Sequence, residues 1–119
     1  MVEDDQINRM VAMQMLKHAD ASGVEADSAA AAIELLKSQE FDLVLMDVNM
    51  PEMDGIEATR AIRAGAAGDR NRDVPIIAMT GFTDSADEQR CYDAGMTGHL
   101  KKPLSMSRFI DVVRSTLEN

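Results

Sequence analysis

The chain has 119 residues, enough for one buried core and too few for two, so we expect a single domain over residues 1–119. Its formal net charge is −9 at pH 7, which disfavours direct contact with the phosphates of nucleic acid. One cysteine excludes an internal disulfide, and no apolar run approaches the roughly 20 residues that would cross a membrane.

Helix and strand signals alternate along the first half of the chain. Apolar residues at helical spacing predict a helix over residues 5–18. Residues 24–27 could form a short strand, and Ser28 is a suitable N-cap for a helix over residues 29–39. The unbroken apolar run over residues 43–46 is typical of a strand that is covered on both faces.

The alternation continues in the second half. The predicted elements are a helix over 55–64, a polar loop over 65–73, a strand over 75–80, a helix from Thr83 or Asp84 to Gly95, a strand over 97–101 and a helix over 105–117. The last helix places Phe109, Ile110, Val113 and Leu117 on its inward face. This order predicts an α/β fold with a parallel sheet and right-handed crossovers.

Polar residues and one glycine follow the predicted strands at their carboxyl ends, where open parallel sheets carry their sites. These residues are Glu3, Asp4 and Asp5, then Asp47 and Asn49, then Thr80 and Gly81, and finally Lys102. We expect them to converge, although they lie far apart in the sequence.

This set of side chains suits phosphoryl chemistry. Several acids at one edge repel one another, and the carboxylates of Glu3, Asp4 and Asp47 are hard ligands that suit Mg²⁺ or Mn²⁺. The backbone carbonyl of Asn49 could be a further ligand. A carboxylate is a known nucleophile toward phosphorus, while an ammonium and a hydroxyl, as in Lys102 and Thr80, would stabilise the phosphoryl oxygens.

Four motifs in this order resemble the receiver domain of two-component response regulators, and most closely the receivers of hybrid sensor histidine kinases. They are Glu3-Asp4-Asp5, MDVNMPEMDG at 46–55, MTG at 79–81 and KP at 102–103. The resemblance implies a three-layer, flavodoxin-like (βα)5 fold with a doubly wound parallel sheet of strand order 2-1-3-4-5.

The resemblance also implies residue roles. Asp47 is the expected phosphoacceptor, and Glu3 and Asp4 are the expected metal-binding acid pair. Thr80 is the expected switch hydroxyl, and Lys102 is expected to contact the phosphoryl group.

Partner docking in this family involves the first helix, here with Ile7, Met10 and Met13, and the face built by the last two helices. The expected donor is a histidine kinase or a histidine phosphotransfer domain. As a separate chain the domain is not expected to be an enzyme, although it would assist its own phosphorylation and dephosphorylation. The single cysteine fits a reducing compartment and no signal peptide is evident, so we expect a cytoplasmic location, within a parent protein that could itself be membrane-bound.

The sequence departs from the family pattern at two places. His99 occupies the position of the aromatic switch residue, which makes the switch dependent on an ionisable ring. The first strand, which has about five apolar residues in the family, retains only Met1 and Val2 and is therefore shortened or missing. Either the chain begins late, or the sheet is completed in another way, such as strand exchange in a homodimer.

Two alternative functions remain open at this point. A phosphatase of the haloacid dehalogenase type also has an aspartyl nucleophile at a strand end, but it needs a second Asp where Asn49 stands. A receiver fold that interacts with partners without being phosphorylated would retain the fold and lose the metal.

Overall fold

The computed structural model describes residues 1–3, 5–19, 23–48, 55–80, 85–101 and 104–118. In these ranges the chain forms a parallel sheet between two layers of helices, which confirms the predicted α/β class. The helices are α1 (Gln6–His18), α2 (Ala29–Ser38), α3 (Gly55–Arg63), α4 (Ser85–Ala94) and α5 (Met106–Glu118). The strands are β1 (Val44–Asp47), β2 (Ile76–Thr80) and β3 (Gly98–Lys101), and a 3-10 helix spans Asp69–Asn71.

Val2 extends the sheet beyond its three regular strands. β1 pairs with β2 and β2 pairs with β3, all in parallel. Val2 forms parallel bridges to both Met46 of β1 and Ala26. The order across the sheet is therefore Ala26, Val2, β1, β2, β3, which is the expected order 2-1-3-4-5 with its first two members reduced to bridges. The expectation of a shortened first strand is confirmed, and the predicted strand over residues 24–27 is a single bridge.

Two residues of the amino terminus provide hydrogen bonds on both sides of this short segment. The Val2 amide donates to the Leu45 carbonyl over 2.7 Å, and the Asp47 amide donates to the Val2 carbonyl over 2.9 Å. On the other side, the Ala26 amide donates to the Met1 carbonyl over 2.8 Å. The sheet is thus continuous from Ala26 to β1 near its carboxyl end, even though the first strand is short.

The core has two apolar clusters, one on each face of the sheet. Successive residues of β1 point to opposite faces, so Met46 packs with the cluster of α2, α3 and α4, and Leu45 with the cluster of α1 and α5. This explains the unbroken apolar run in β1. On α5, Phe109 and Val113 are buried as predicted. The prediction for Leu117 was wrong, because its side chain is 41% exposed beside a cavity at the amino end of β1.

Side chains and glycine mark the helix ends. The Asp5 carboxylate accepts hydrogen bonds from the Ile7 and Asn8 amides at the start of α1, and the Ser28 hydroxyl accepts one from the Ala31 amide at the start of α2. Gly95 follows α4 with φ of 110°, a left-handed conformation in which glycine is unstrained. The caps predicted for α4 at Thr83 or Asp84 lie outside the described residues.

Candidate functional site

Three buried polar residues lie at the carboxyl ends of neighbouring segments of the sheet. Asp47 ends β1, Thr80 ends β2, and Glu3 follows the bridge residue Val2. Because Val2 pairs with Met46, Glu3 is level with Asp47 on the neighbouring segment. Glu3, Asp47 and Thr80 are each 1% exposed. Buried carboxylates and a buried hydroxyl at adjacent strand ends are costly without partners, which marks this edge as the candidate site.

The Glu3 side chain is held by the first turn of α1. The Asn8 side-chain amide donates to Glu3 Oε1 over 3.1 Å, and the Arg9 guanidinium donates to the Glu3 carbonyl oxygen over 2.8 Å. Asp5, by contrast, is the exposed N-cap of α1. The two described acids of this run therefore differ, because Glu3 is a buried candidate site residue and Asp5 caps a helix. The contacts of Asn8 and Arg9 with Glu3 were not predicted from the sequence. The position of these two residues in the helix that follows a strand-end acid could have indicated them.

Gly55 brings the start of α3 directly against the end of β1. Its amide donates to the Val48 carbonyl over 3.1 Å, and the Thr59 hydroxyl donates to the Gly55 carbonyl over 2.7 Å. A Cβ atom at Gly55 would overlap the Asp47 carbonyl oxygen and would lie 2.9 Å from Met46 Cγ. Glycine is thus required here for close backbone approach, and it fixes the position of the Asp47 backbone.

Four of the residues predicted at the strand ends, Asp4, Asn49, Gly81 and Lys102, lie outside the described residues. Within the described ranges there is no cluster of three or more His, Cys, Asp or Glu side chains that could hold a metal ion. Glu3 and Asp47 alone are two neighbouring carboxylates, and hard oxygen ligands of this kind fit Mg²⁺, which needs only one or two carboxylates and keeps several waters. The donor chemistry of the described pair therefore fits the predicted metal.

His99 connects β3 to α4. Its Nδ1 lies 2.9 Å from the Tyr92 hydroxyl, its Nε2 lies 3.4 Å from Glu88 Oε1, and the Tyr92 and His99 rings pack edge to face. Lys101 Nζ lies 3.9 Å from the same Glu88 oxygen. Glu88 and Tyr92 are one helical turn apart and so share a face of α4. Sequence reasoning found His99 but missed these two partners.

The match to known proteins covers almost the whole chain. The family model described as the response regulator receiver domain matches residues 1–114. The polar-differentiation response regulator DivK of Brucella anthropi is 30% identical over 116 residues, which are 98% of this chain and 92% of the relative.

Among the described residues, no helix combines the length and apolar character needed to cross a bilayer.

Solved structures show the same similarity. The receiver domain of sensor histidine kinase PA1611 from Pseudomonas aeruginosa PAO1, crystallised with a magnesium ion coordinated in the active site cleft, has a TM-score of 0.88 and 31% identity, with coverage of 99% of this chain and 94% of that one. The chemotaxis protein CheY4 of Vibrio cholerae has a TM-score of 0.85 and 28% identity, with coverage of 98% and 94%. The chain therefore belongs to the response regulator receiver domain family.

Proposed function

We propose that this receiver domain accepts a phosphoryl group from a phosphohistidine onto Asp47. The observation that carries the proposal is the burial of Asp47 at the end of β1, level with Glu3 and beside the end of β2, where Thr80 stands. Family membership adds to this, because two-component receivers act as phosphoacceptors. It also favours the receiver interpretation over the phosphatase alternative.

The proposed transfer is a direct displacement at phosphorus. A carboxylate oxygen of Asp47 forms the new bond to phosphorus while the bond from phosphorus to the imidazole nitrogen of the donor breaks, and the electron pair stays on that nitrogen. The hydroxyl of Thr80, at the adjacent strand end, is proposed to donate a hydrogen bond to a phosphoryl oxygen. Lys102 is proposed to place its ammonium on another.

Glu3 and Asp47 are proposed to hold a magnesium ion together with Asp4 and the Asn49 carbonyl oxygen; Mn²⁺ has similar ligand preferences. When bound, the ion would neutralise part of the negative charge on the acids and on the phosphoryl oxygens. Asn8 and Arg9 hold Glu3 in place for this role. The magnesium in the receiver domain of the kinase PA1611 supports the same assignment here.

The proposed partners are a histidine kinase or a histidine phosphotransfer domain, and the proposed location is the cytoplasm. On α1, the side chains of Ile7 and Met10 are 72% and 59% exposed, which leaves an apolar surface available to a partner helix. The output face is proposed to include His99 and its α4 partners Glu88 and Tyr92. Modification of Asp47 would bias this face through Thr80.

The proposal is tested by the intact mass of the protein after incubation with acetyl phosphate. We expect one added phosphoryl group in the presence of Mg²⁺ and none in the presence of a chelator. Asp47→Asn should show no addition, whereas Asp42→Asn, an exposed acid near the opposite end of β1, should react normally. A folded native chain that gains no mass with Mg²⁺ would instead support a domain that interacts without phosphorylation.

A further inference from the structure

The side chain of Arg63 joins the carboxyl ends of two helices. Arg63 is the last residue of α3, and its guanidinium donates to the Gly95 carbonyl from Nε over 3.0 Å and from Nη2 over 2.8 Å. Its Nη1 donates to the Arg72 carbonyl over 2.8 Å, and the Arg72 Nε donates to the Arg63 carbonyl over 3.1 Å. We call these four hydrogen bonds the Arg63 bridge. They connect α3, the loop before β2 and the residue that follows α4.

Gly95 leaves the space that the Arg63 side chain occupies. A Cβ atom added at Gly95 would lie 2.8 Å from Arg63 Cγ and 3.1 Å from Arg63 Nε. The φ of 110° at Gly95 also favours glycine. Glycine at this position therefore serves both the left-handed end of α4 and the close approach of the arginine.

The carboxyl end of α4 is held by its own backbone and by burial as well. The Gly95 amide donates to the Tyr92 carbonyl over 3.0 Å and the Met96 amide donates to the Cys91 carbonyl over 3.2 Å. These are the two hydrogen bonds of a Schellman motif. Cys91, Ala94 and Met96 are buried in the apolar cluster of α2, α3 and α4. This end of the helix is therefore anchored in three ways.

The amino half of α4 packs differently. Ala86, Gln89 and Arg90 are exposed and Glu88 is half-buried, so no side chain that the structure describes in this half enters the core. The Glu88 carboxylate contacts the sheet at His99 Nε2 over 3.4 Å. A partly exposed ion pair of this kind contributes little to stability. We therefore expect this half to open at a lower free energy than the carboxyl end.

The two ends of α4 lie at opposite edges of the sheet. β2 ends at Thr80 on the edge of the candidate site, and α4 follows it in the chain. β3 begins at Gly98 on the opposite edge, because it is parallel to β2 and follows α4. The Arg63 bridge is therefore at the edge away from the site, and the amino end of α4 is at the edge of the site.

We propose that Arg63 is a positioning residue that makes Gly95 the fixed end of α4, so that the helix opens from its amino end. Opening at the carboxyl end must break the charge-assisted bonds of the bridge and expose buried side chains, whereas opening at the amino end requires neither. Movement of α4 is then larger at Glu88 than at Gly95. The proposal concerns the unmodified domain and does not depend on phosphorylation of Asp47.

The test is amide hydrogen exchange, resolved by NMR, in the native chain and in Arg63→Met, which keeps an unbranched stem and removes the guanidinium. In the native chain we expect the amides of Gly95 and Met96 to exchange about tenfold or more slowly than those of Gln89 and Arg90. In Arg63→Met the exchange at Gly95 and Met96 should accelerate by about tenfold or more, so that the difference between the two ends is lost.

Two further variants and a second set of amides complete the design. Arg60→Met removes an exposed arginine one turn earlier on α3 and should leave the exchange of α4 unchanged. The amides of Ile77 and Met79 in β2 report global unfolding, and in Arg63→Met they should accelerate less than Gly95. Arg63→Lys keeps the charge without the planar fork and should show the same effect more weakly.

Three results would overturn the proposal. The first is equal exchange at the two ends of α4 in the native chain. The second is an unchanged profile in Arg63→Met, or in Arg63→Lys where the methionine variant does not fold. The third is acceleration of the β2 and α4 amides by the same factor, because Arg63 would then stabilise the whole domain without determining which end of α4 opens.

Discussion

The Cα of Gly55 lies so close to the end of β1 that no side chain at this position can be accommodated beside the Asp47 carbonyl. The first turn of α3 therefore packs against the backbone of the proposed phosphoacceptor. In the sequence, Gly55 is the last residue of the MDVNMPEMDG motif and the first residue of a predicted helix. In the structure it sets the distance between a helix and the site.

Gly55→Ala should therefore destabilise the domain by about 1–3 kcal/mol, the usual cost of overpacking, as measured by urea unfolding. The backbone at Asp47 and Val48 must move to accept the new methyl group, so phosphorylation by acetyl phosphate should also slow. Gly98→Ala is the matched control, because its new Cβ would meet only the Ile77 Cδ1 atom at 2.9 Å, and this side-chain end can shift. Equal stability of the two variants would show that glycine is not required for the close packing of α3 against β1.

Glu3→Gln should weaken Mg²⁺ binding, measured by calorimetric titration, because it removes one of the two described carboxylates at the site. Asn8→Ala leaves the carboxylate but removes its hydrogen-bond donor, and we expect a loss of about tenfold in Mg²⁺ affinity. Asp5→Asn is the control, since Asn is an equally good N-cap and this side chain only caps α1. An effect of Asp5→Asn as large as that of Glu3→Gln would show that the site uses a different acid.

Tyr92 and His99 should be energetically coupled. Tyr92→Phe removes the hydroxyl that lies 2.9 Å from His99 Nδ1 and should cost about 0.5–1 kcal/mol, because the hydrogen bond is exposed. In a His99→Phe background the same change should cost nothing, and the double-mutant cycle isolates the difference. A coupling energy of zero in urea unfolding would show that the contact does not hold α4 to β3.

The amino terminus should make stability depend on pH. Burial lowers the pKa of the Met1 ammonium from 8.0 to about 6 in the folded chain. Between these values the unfolded chain binds more protons, so the free energy of unfolding should rise from pH 6 to pH 8, by on the order of 2 kcal/mol. An N-terminally acetylated chain should lack this contribution, and the difference between the two chains separates it from histidine titration. Parallel pH profiles would contradict the prediction.

Much of the fold could be predicted because local patterns and tertiary packing agree. The apolar run before Asp47 and the N-cap Ser28 correspond directly to β1 and α2. The prediction of a strand over residues 24–27 was wrong because a strand needs a paired neighbour, and among the described residues this segment forms one bridge, from Ala26 to Val2. Leu117 has the spacing of a core residue, but it lines a cavity with Leu43 and Leu45 at the amino end of β1, so periodicity could not predict its exposure.

The site was predictable in part. The strand-end positions of Asp47, Thr80 and Glu3 follow from the alternation of strands and helices, and all three are buried there. Strand pairing brings them to one edge, but no sequence pattern shows which side chains support them. The contacts of Asn8 with Glu3 and of Tyr92 with His99 depend on how α1 and α4 are rotated against the sheet.

Asp47 is the proposed carrier of the phosphoryl group. The most direct measurement treats the phosphorylated protein with borohydride, which reduces an acyl phosphate to an alcohol, and maps the product by peptide mass spectrometry. We expect homoserine in place of aspartate at position 47, only in samples that had been phosphorylated in the presence of Mg²⁺. Homoserine at another position, with Asp47 unmodified, would contradict it.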